Sequence, residues 1–251
     1  MATNKTAIIY RGPSLIDGQP IVVLAQQGSK NSKTGNMLQT FILRDDMDPV
    51  TANRTGADVS ICGDCPHRGQ AHDGDKGLAK GRTCYVTLIH APLGKYKALQ
   101  RGSYPTVTGH AAIRAFGAGQ MVRIGTYGDG AAVPSYVWDS LCDAALGWTA
   151  YTHQSGCKTA ALDAQRYMTS AESLPDAQAA WDRGERTFRV IADVSDLAKG
   201  SEVLCPASEE AGRRTTCETC KLCAGASIKA KSVAIVAHGA SKTAAKALVA
   251  A

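Results

Sequence analysis

The sequence predicts an α/β protein built on a parallel β/α barrel-like sheet, partial or full TIM-type, with an N-terminal antiparallel β meander and two cysteine-rich metal sites. Three observations predict it. Short apolar runs recur after residue 84 with helix-like stretches between most of them, β-rich runs broken by turn residues fill the first 44 positions, and seven of the nine cysteines fall into two tight groups.

The meander covers residues 1–44. Residues 6–10, 20–26 and 38–43 are its expected strands, separated by Gly-Pro, Asp-Gly and Asn-Ser-Lys-Thr-Gly turn signals. Residues 45–84 carry much Asp, Gly, Asn and Arg and little periodicity, which predicts a long metal-binding loop ordered by its metal. The barrel-like domain follows over residues 85–240, with strands expected at 85–89, 121–127, 148–153, 166–170, 187–192, 202–205 and 232–237. Val133, Val137, Leu141 and Ala145 share one helical face within residues 133–146, and a second helix over 175–183 starts after Ser173 with proline in its first turn. The Ala/Lys tail, 241–251, reads as a short helix or frayed end.

The rear cysteine group is Cys205-Pro206, eleven residues, then Cys217-Glu-Thr-Cys220-Lys-Leu-Cys223. Two-residue spacers let successive sulfurs converge on one point, as zinc knuckles and cubane iron–sulfur loops both require. An iron–sulfur cluster (4Fe-4S) on four thiolates is one reading. Zinc on those four, or on three of them with His238, is the other. The front group, Cys62-Gly-Asp-Cys65-Pro-His67 and then Cys84, makes a closed zinc site if His67 ligates and leaves a coordination position open if it does not. Cys142 and Cys157 are assigned to neither group.

In a parallel sheet, sites gather at the carboxyl ends of the strands. That rule turns Thr126, Tyr127, Gly128 and Asp129, the pair Thr152 and His153, the pair Ser170 and Glu172, Cys205, and His238 with Gly239 toward one mouth, capped by Cys62, Cys65 and Cys84. Asp129 ends a strand in a glycine-rich turn where backbone approaches a ligand closely, or caps the segment that follows. His153 can bind substrate, move a proton or hydrogen-bond in the core. These two are the catalytic candidates.

With 28 Lys and Arg against 22 Asp and Glu, the net charge is +6. Arg213, Arg214, Lys221, Lys229 and Lys231 cluster around the rear cysteines, which suits a nucleic acid or nucleotide partner. No apolar run is long enough to span a membrane, and Met-Ala-Thr-Asn-Lys lacks the apolar core of a secretory signal, so the cytoplasm is the expected compartment. Cysteines kept reduced there serve as ligands more often than as disulfides. Neither a Gly-x-Ser-x-Gly elbow, a P-loop, a His-Glu-x2-His motif nor a paired-histidine nickase motif occurs, which sets the corresponding hydrolase and nucleotide-hydrolysis classes aside.

The order of the cysteine group ending at Cys84-Tyr85, a helix, a strand with Gly128-Asp129 and Pro134, and a strand ending at His153 resembles radical S-adenosylmethionine barrels over residues 60–240. That resemblance implies a four-iron cluster on Cys62, Cys65 and Cys84, and an acidic turn at Asp129 contacting the amino group of S-adenosylmethionine. The family packs its cysteines as Cys-x3-Cys-x2-Cys and uses glutamate in the turn, whereas eighteen residues separate Cys65 from Cys84 here. The Cys-Pro-His, Gly-Asp, Tyr-Thr-His and Cys-x2-Cys-x2-Cys blocks are also similar to a cysteine-rich family of phage and prophage proteins, implying a bacteriophage origin and the cytoplasm of the host cell.

The chain further resembles tRNA-guanine transglycosylases and their DNA-modifying phage relatives. This implies structural zinc on Cys217, Cys220, Cys223 and His238, and an attacking aspartate for which Asp193 is the nearest candidate. The expected function is therefore a phage-type iron–sulfur enzyme of nucleic-acid or nucleotide modification. The alternatives are a zinc-containing base-exchange enzyme and a non-enzymatic zinc protein that binds nucleic acid.

Overall fold

A computed structural model describes residues 5–29, 31–154, 165–239 and 241–249. The meander is present: β1 (Thr6–Pro13), β2 (Pro20–Gln26) and β3 (Leu38–Arg44) pair antiparallel, with Ile21 opposite Arg44. Asp17-Gly18 turns β1 into β2, the glycine taking a φ of 76° that side chains with a Cβ rarely adopt. Ile21 through Ala25 are buried on both faces of β2, so this strand reads as a continuous apolar run rather than an alternating one.

From β3 onward the pairing is parallel. β4 (Met121–Tyr127) lies beside β3, and β5 (Gly147–Thr149) beside β4. The chain then passes through Ala150 into a second sheet, all parallel, in the order β6 (Tyr151–Thr152), β7 (Met168–Ala171), β8 (Thr187–Ile191), β10 (Ser232–Val236), β9 (Glu202–Leu204). The junction stays bonded, since the Ala150 N–H donates to the Cys223 carbonyl at 3.0 Å and the Met168 N–H to the Ala150 carbonyl at 2.9 Å. The described strands form this mixed α/β architecture without closing into a barrel.

Helices cover the sheets. α3 (Ala91–Gln100), α4 (His110–Gly117) and α5 (Ser135–Cys142) precede the sheet junction, and α6 (Leu174–Asp182) connects β7 to β8. Trp138 of α5 is fully buried and donates its indole N–H to the Gly130 carbonyl at 2.9 Å. α4 and α5 approach so closely that a Cβ on Gly117 would stand 2.0 Å from the Leu141 carbonyl oxygen. α6 is capped as expected, by the Ser173 hydroxyl accepting from the Asp176 N–H. α8 (Lys242–Val249) occupies the tail. Among the described residues no helix is long and apolar enough to cross a membrane.

Three expectations are corrected. Residues 45–84 are not one long loop: Asp48 caps α1 (Pro49–Thr55) by accepting from the Val50 and Thr51 N–H groups, and α2 (Val59–Cys62) follows. Residues 85–89 form bends and turns rather than a strand and pair with no strand among the described residues, and Tyr85 is 51% and Ile89 61% exposed. The helix expected over 133–146 is shorter, since Pro134 holds an extended φ/ψ at its start and the chain leaves the helix after Cys142. Cys157 lies outside the described residues.

Two outcomes are expected. Gly117→Ala should destabilise the protein by about 1–3 kcal/mol in urea unfolding, because the added methyl overlaps backbone rather than a yielding side chain. Lys95, buried in α3 over the Phe41 ring, has its amine pulled down to about 8 by burial. Its folded-state value thus lies below that of an exposed lysine, so the folded protein binds fewer protons between about pH 8 and pH 10 and this site's contribution to stability rises across that window. Lys95→Met should therefore be more stable at pH 7 by about 1–2 kcal/mol, a difference that shrinks toward pH 10. A difference that does not change with pH would contradict this.

Candidate functional site

The carboxyl ends of β4, β6, β7, β9 and β10 open on one cavity of about 720 Å³. Asp129, His153, Glu172, Cys205 and His238 follow those five strands directly or within two residues, and all line the cavity. So do Cys62, Cys65, His67 and Cys84 on one side and Cys217, Cys220 and Cys223 on another. Thr152 and Gly239, expected at the same mouth, are not on its wall.

Local structure explains how Cys84 reaches the front group across eighteen intervening residues. Gln70 and Lys80 exchange backbone hydrogen bonds of 2.8 Å, folding the segment back on itself, and the Thr83 and Cys84 N–H groups both donate to the His67 carbonyl at 3.1 Å. Gly63 permits the turn after α2, with a φ of 52° and a hypothetical Cβ 2.2 Å from the Gln154 amide. Burial pushes the Cys62 thiol well above its usual value, and the neighbouring Asp58, Cys65 and Cys84 add to the rise. Burial likewise raises Cys84.

The rear group is assembled from three segments. Cys205 follows β9, while α7 (Cys217–Cys220) is held by the 31–36 loop: the Cys217 and Glu218 N–H groups donate to the Lys33 and Thr34 carbonyls at 3.0 Å. Lys221 ends α7 in the left-handed region, which aims the chain at Cys223. Burial first, then proximity to Cys205, Cys217 and Cys220, pushes the Cys223 thiol up to about 12 against an opposing hydrogen bond from Tyr151.

Two cations beside these sulfurs are conspicuous. Lys33 lies near Cys205 and Cys217, and Arg123, midway along β4, lies near Cys217. The Arg123 guanidinium donates to the Tyr85 hydroxyl at 2.6 Å, but its Nε is buried without a hydrogen-bond partner. Among the described residues neither cation makes an ion pair with a carboxylate. His238 stacks on Tyr85 with ring centroids 5.9 Å apart; its Nδ1 donates to the Val236 carbonyl and its Nε2 faces Lys33 Nζ at 3.3 Å.

Asp129 is buried and fully engaged. Its Oδ1 accepts from the Ala131 N–H at 2.9 Å, and its Oδ2 from the Thr152 hydroxyl at 3.0 Å and the His153 N–H at 2.9 Å. Its own N–H donates to the Ile61 carbonyl at 2.6 Å. It thus caps the turn after β4 and positions His153.

The His153 Nε2 lies 2.8 Å from Glu172 Oε1, and His67 Nε2 lies 3.1 Å from Glu172 Oε2 at an ion-pair distance without hydrogen-bond alignment. Burial lowers His153, but hydrogen bonds to Cys65 and Glu172 outweigh it and hold the ring well above its usual value. Burial raises Glu172, and its two histidines overcome that to hold the carboxyl at about 2. Among the described residues, these three supply the donor set found within 4.8 Å of one another; neither cysteine group brings three sulfurs that close.

Arg213, Arg214, Lys221, Lys229 and Lys231 are exposed. Lys221 reaches the cavity wall, and Arg213 pairs with Glu209 at 2.7 Å. Asp193 faces away from these roles, capping the turn after β8. Sequence reasoning passed over Lys33 and Arg123. A charged residue interrupting the apolar run of β4 was the available signal for Arg123; Lys33, in a polar loop, offered none. No family model, curated protein or solved structure matches this chain.

Asp129→Asn replaces an acceptor with an amide N–H facing other donors, so stability should fall by about 1–3 kcal/mol in chemical denaturation. A variant as stable as the parent would show that these hydrogen bonds contribute nothing net.

Proposed function

We propose that this protein is an iron–sulfur enzyme acting on a nucleotide or nucleic acid, with two cysteine-held centres facing one cavity. The observation that carries the reading is that both cysteine groups line the same cavity wall. A purely structural metal needs no opening of that kind.

The charges favour metal at the rear group. Among the described residues Lys33 and Arg123 form no ion pair with a carboxylate, and both stand beside thiols that burial keeps protonated. Both cations are half-buried, and four thiolates around a metal supply negative charge beside them. Among the described residues no three sulfurs of either group lie within 4.8 Å of one another. Sulfurs on one tetrahedral zinc, with bonds of about 2.3 Å, stand roughly 3.8 Å apart, whereas a four-iron cluster puts each sulfur on a different iron. Cys205, Cys217, Cys220 and Cys223 would hold the rear cluster, and Cys62, Cys65 and Cys84 the front one.

A front cluster on three cysteines supplies one-electron chemistry at an iron left open to a ligand; S-adenosylmethionine is the ligand that the likeness to radical barrels adds. The chain's own residues do the positioning. Asp129 holds the His153 backbone, and Arg82 donates to the Cys84 and Val86 carbonyls, fixing the third cysteine. A nucleotide suits a cavity of this volume, Lys221 stands on its wall, and Arg213, Arg214, Lys229 and Lys231 are exposed.

Protein purified without oxygen should be brown, with visible charge-transfer absorption, iron and acid-labile sulfide. Cys62→Ser and Cys217→Ser should each remove about half of both elements, one cluster of two. Colourless protein containing zinc alone would overturn the proposal in favour of base exchange or plain binding.

A further inference from the structure

We infer that His67, His153 and Glu172 form a separate site for one divalent first-row transition cation, open to the cavity and distinct from both cysteine groups. The site neither requires iron at the cysteines nor follows from it.

The geometry is that of ligands before a metal arrives. Each imidazole turns its Nε2 toward a different oxygen of one carboxylate, at 2.8 Å and 3.1 Å. Adjacent ligands of an octahedral ion with bonds of about 2.1 Å stand roughly 3.0 Å apart, so the two separations already bracket that value. Glu172 Oε2 is buried with no hydrogen bond, a lone pair left over in a polar corner where such atoms are normally paired. The interplanar angle of 74° between the two rings lets both nitrogens point at one position without the rings stacking.

Support behind the ligands matches what metal-binding histidines need. The His67 Nδ1 is 2.7 Å from the Thr83 hydroxyl, which fixes the ring and leaves Nε2 for the cation. The His153 backbone N–H donates to Asp129 Oδ2 at 2.9 Å, which fixes the residue behind its ring. Two imidazoles and a carboxylate are harder donors than thiolates, so the site takes a single ion rather than a sulfide-bridged cluster: Fe(II), Mn(II) or Zn(II), with Co(II) as a spectroscopic substitute. All three residues line the cavity, so the remaining coordination positions face a bound ligand or water.

The test is cobalt(II) titration of the full chain purified without oxygen, followed by d–d absorption. The parent should bind one cobalt that Glu172→Gln binds at least tenfold more weakly. The difference spectrum between the two should lack thiolate-to-cobalt charge transfer, and their acid-labile sulfide contents should be equal. Thr83→Ala removes only the hydroxyl behind His67 and should weaken cobalt about tenfold, a readout that survives if Glu172→Gln fails to fold. Equal cobalt affinity in the parent and Thr83→Ala, or a difference spectrum dominated by thiolate charge transfer, would overturn the site and leave an ion-paired network only. Neither result bears on whether the cysteines hold iron.

Discussion

One buried carboxylate ties together the three segments that make the cavity. Asp129 receives hydrogen bonds from the turn after β4, from the Thr152 side chain and from the His153 backbone, while its own N–H reaches the Ile61 carbonyl just before Cys62. The end of β4, the end of β6 and the first cysteine are thereby fixed relative to one another. Gly128 belongs to the same knot: at a φ of 83°, a Cβ there would meet Ile42 at 2.7 Å, so the turn can press against β3 only because it carries no side chain.

The parallel sheet places such knots on one side. Because successive parallel strands point the same way, Asp129, His153, Glu172, Cys205 and His238 all emerge at one end, and the front loop needs only to fold over them. Charge then divides the cavity. Toward the front, two histidines surround a carboxylate held ionised, whereas toward the rear Lys33 and Arg123 face sulfurs and, among the described residues, form no ion pair with a carboxylate. The two halves therefore differ in charge, a carboxylate between two histidines at the front and two cations beside sulfurs at the rear.

Much of this was legible in the chain. β2 and β4 have the limits their β-branched runs imply, and α6 starts where Ser173 and Pro175 place it. The rule that sites follow parallel strands places Asp129, His153, Glu172, Cys205 and His238 at one mouth, and all five line one cavity. α1 was hidden because its Asp48-Pro49 start signal precedes a polar stretch with little apolar periodicity. The break at Ala150, which hands one strand from the first sheet to the second, leaves no mark in composition. Nor does the pairing of His67 with Glu172, which depends on how a loop folds over a sheet rather than on spacing along the chain.

The most direct measurement is anomalous diffraction at the iron edge from crystals grown without oxygen. Two iron peaks on the cavity wall, one bounded by Cys62, Cys65 and Cys84 and the other by Cys205, Cys217, Cys220 and Cys223, are the expected result. Peaks at the zinc edge alone, or no metal at either cysteine group, would contradict two iron–sulfur centres facing one cavity.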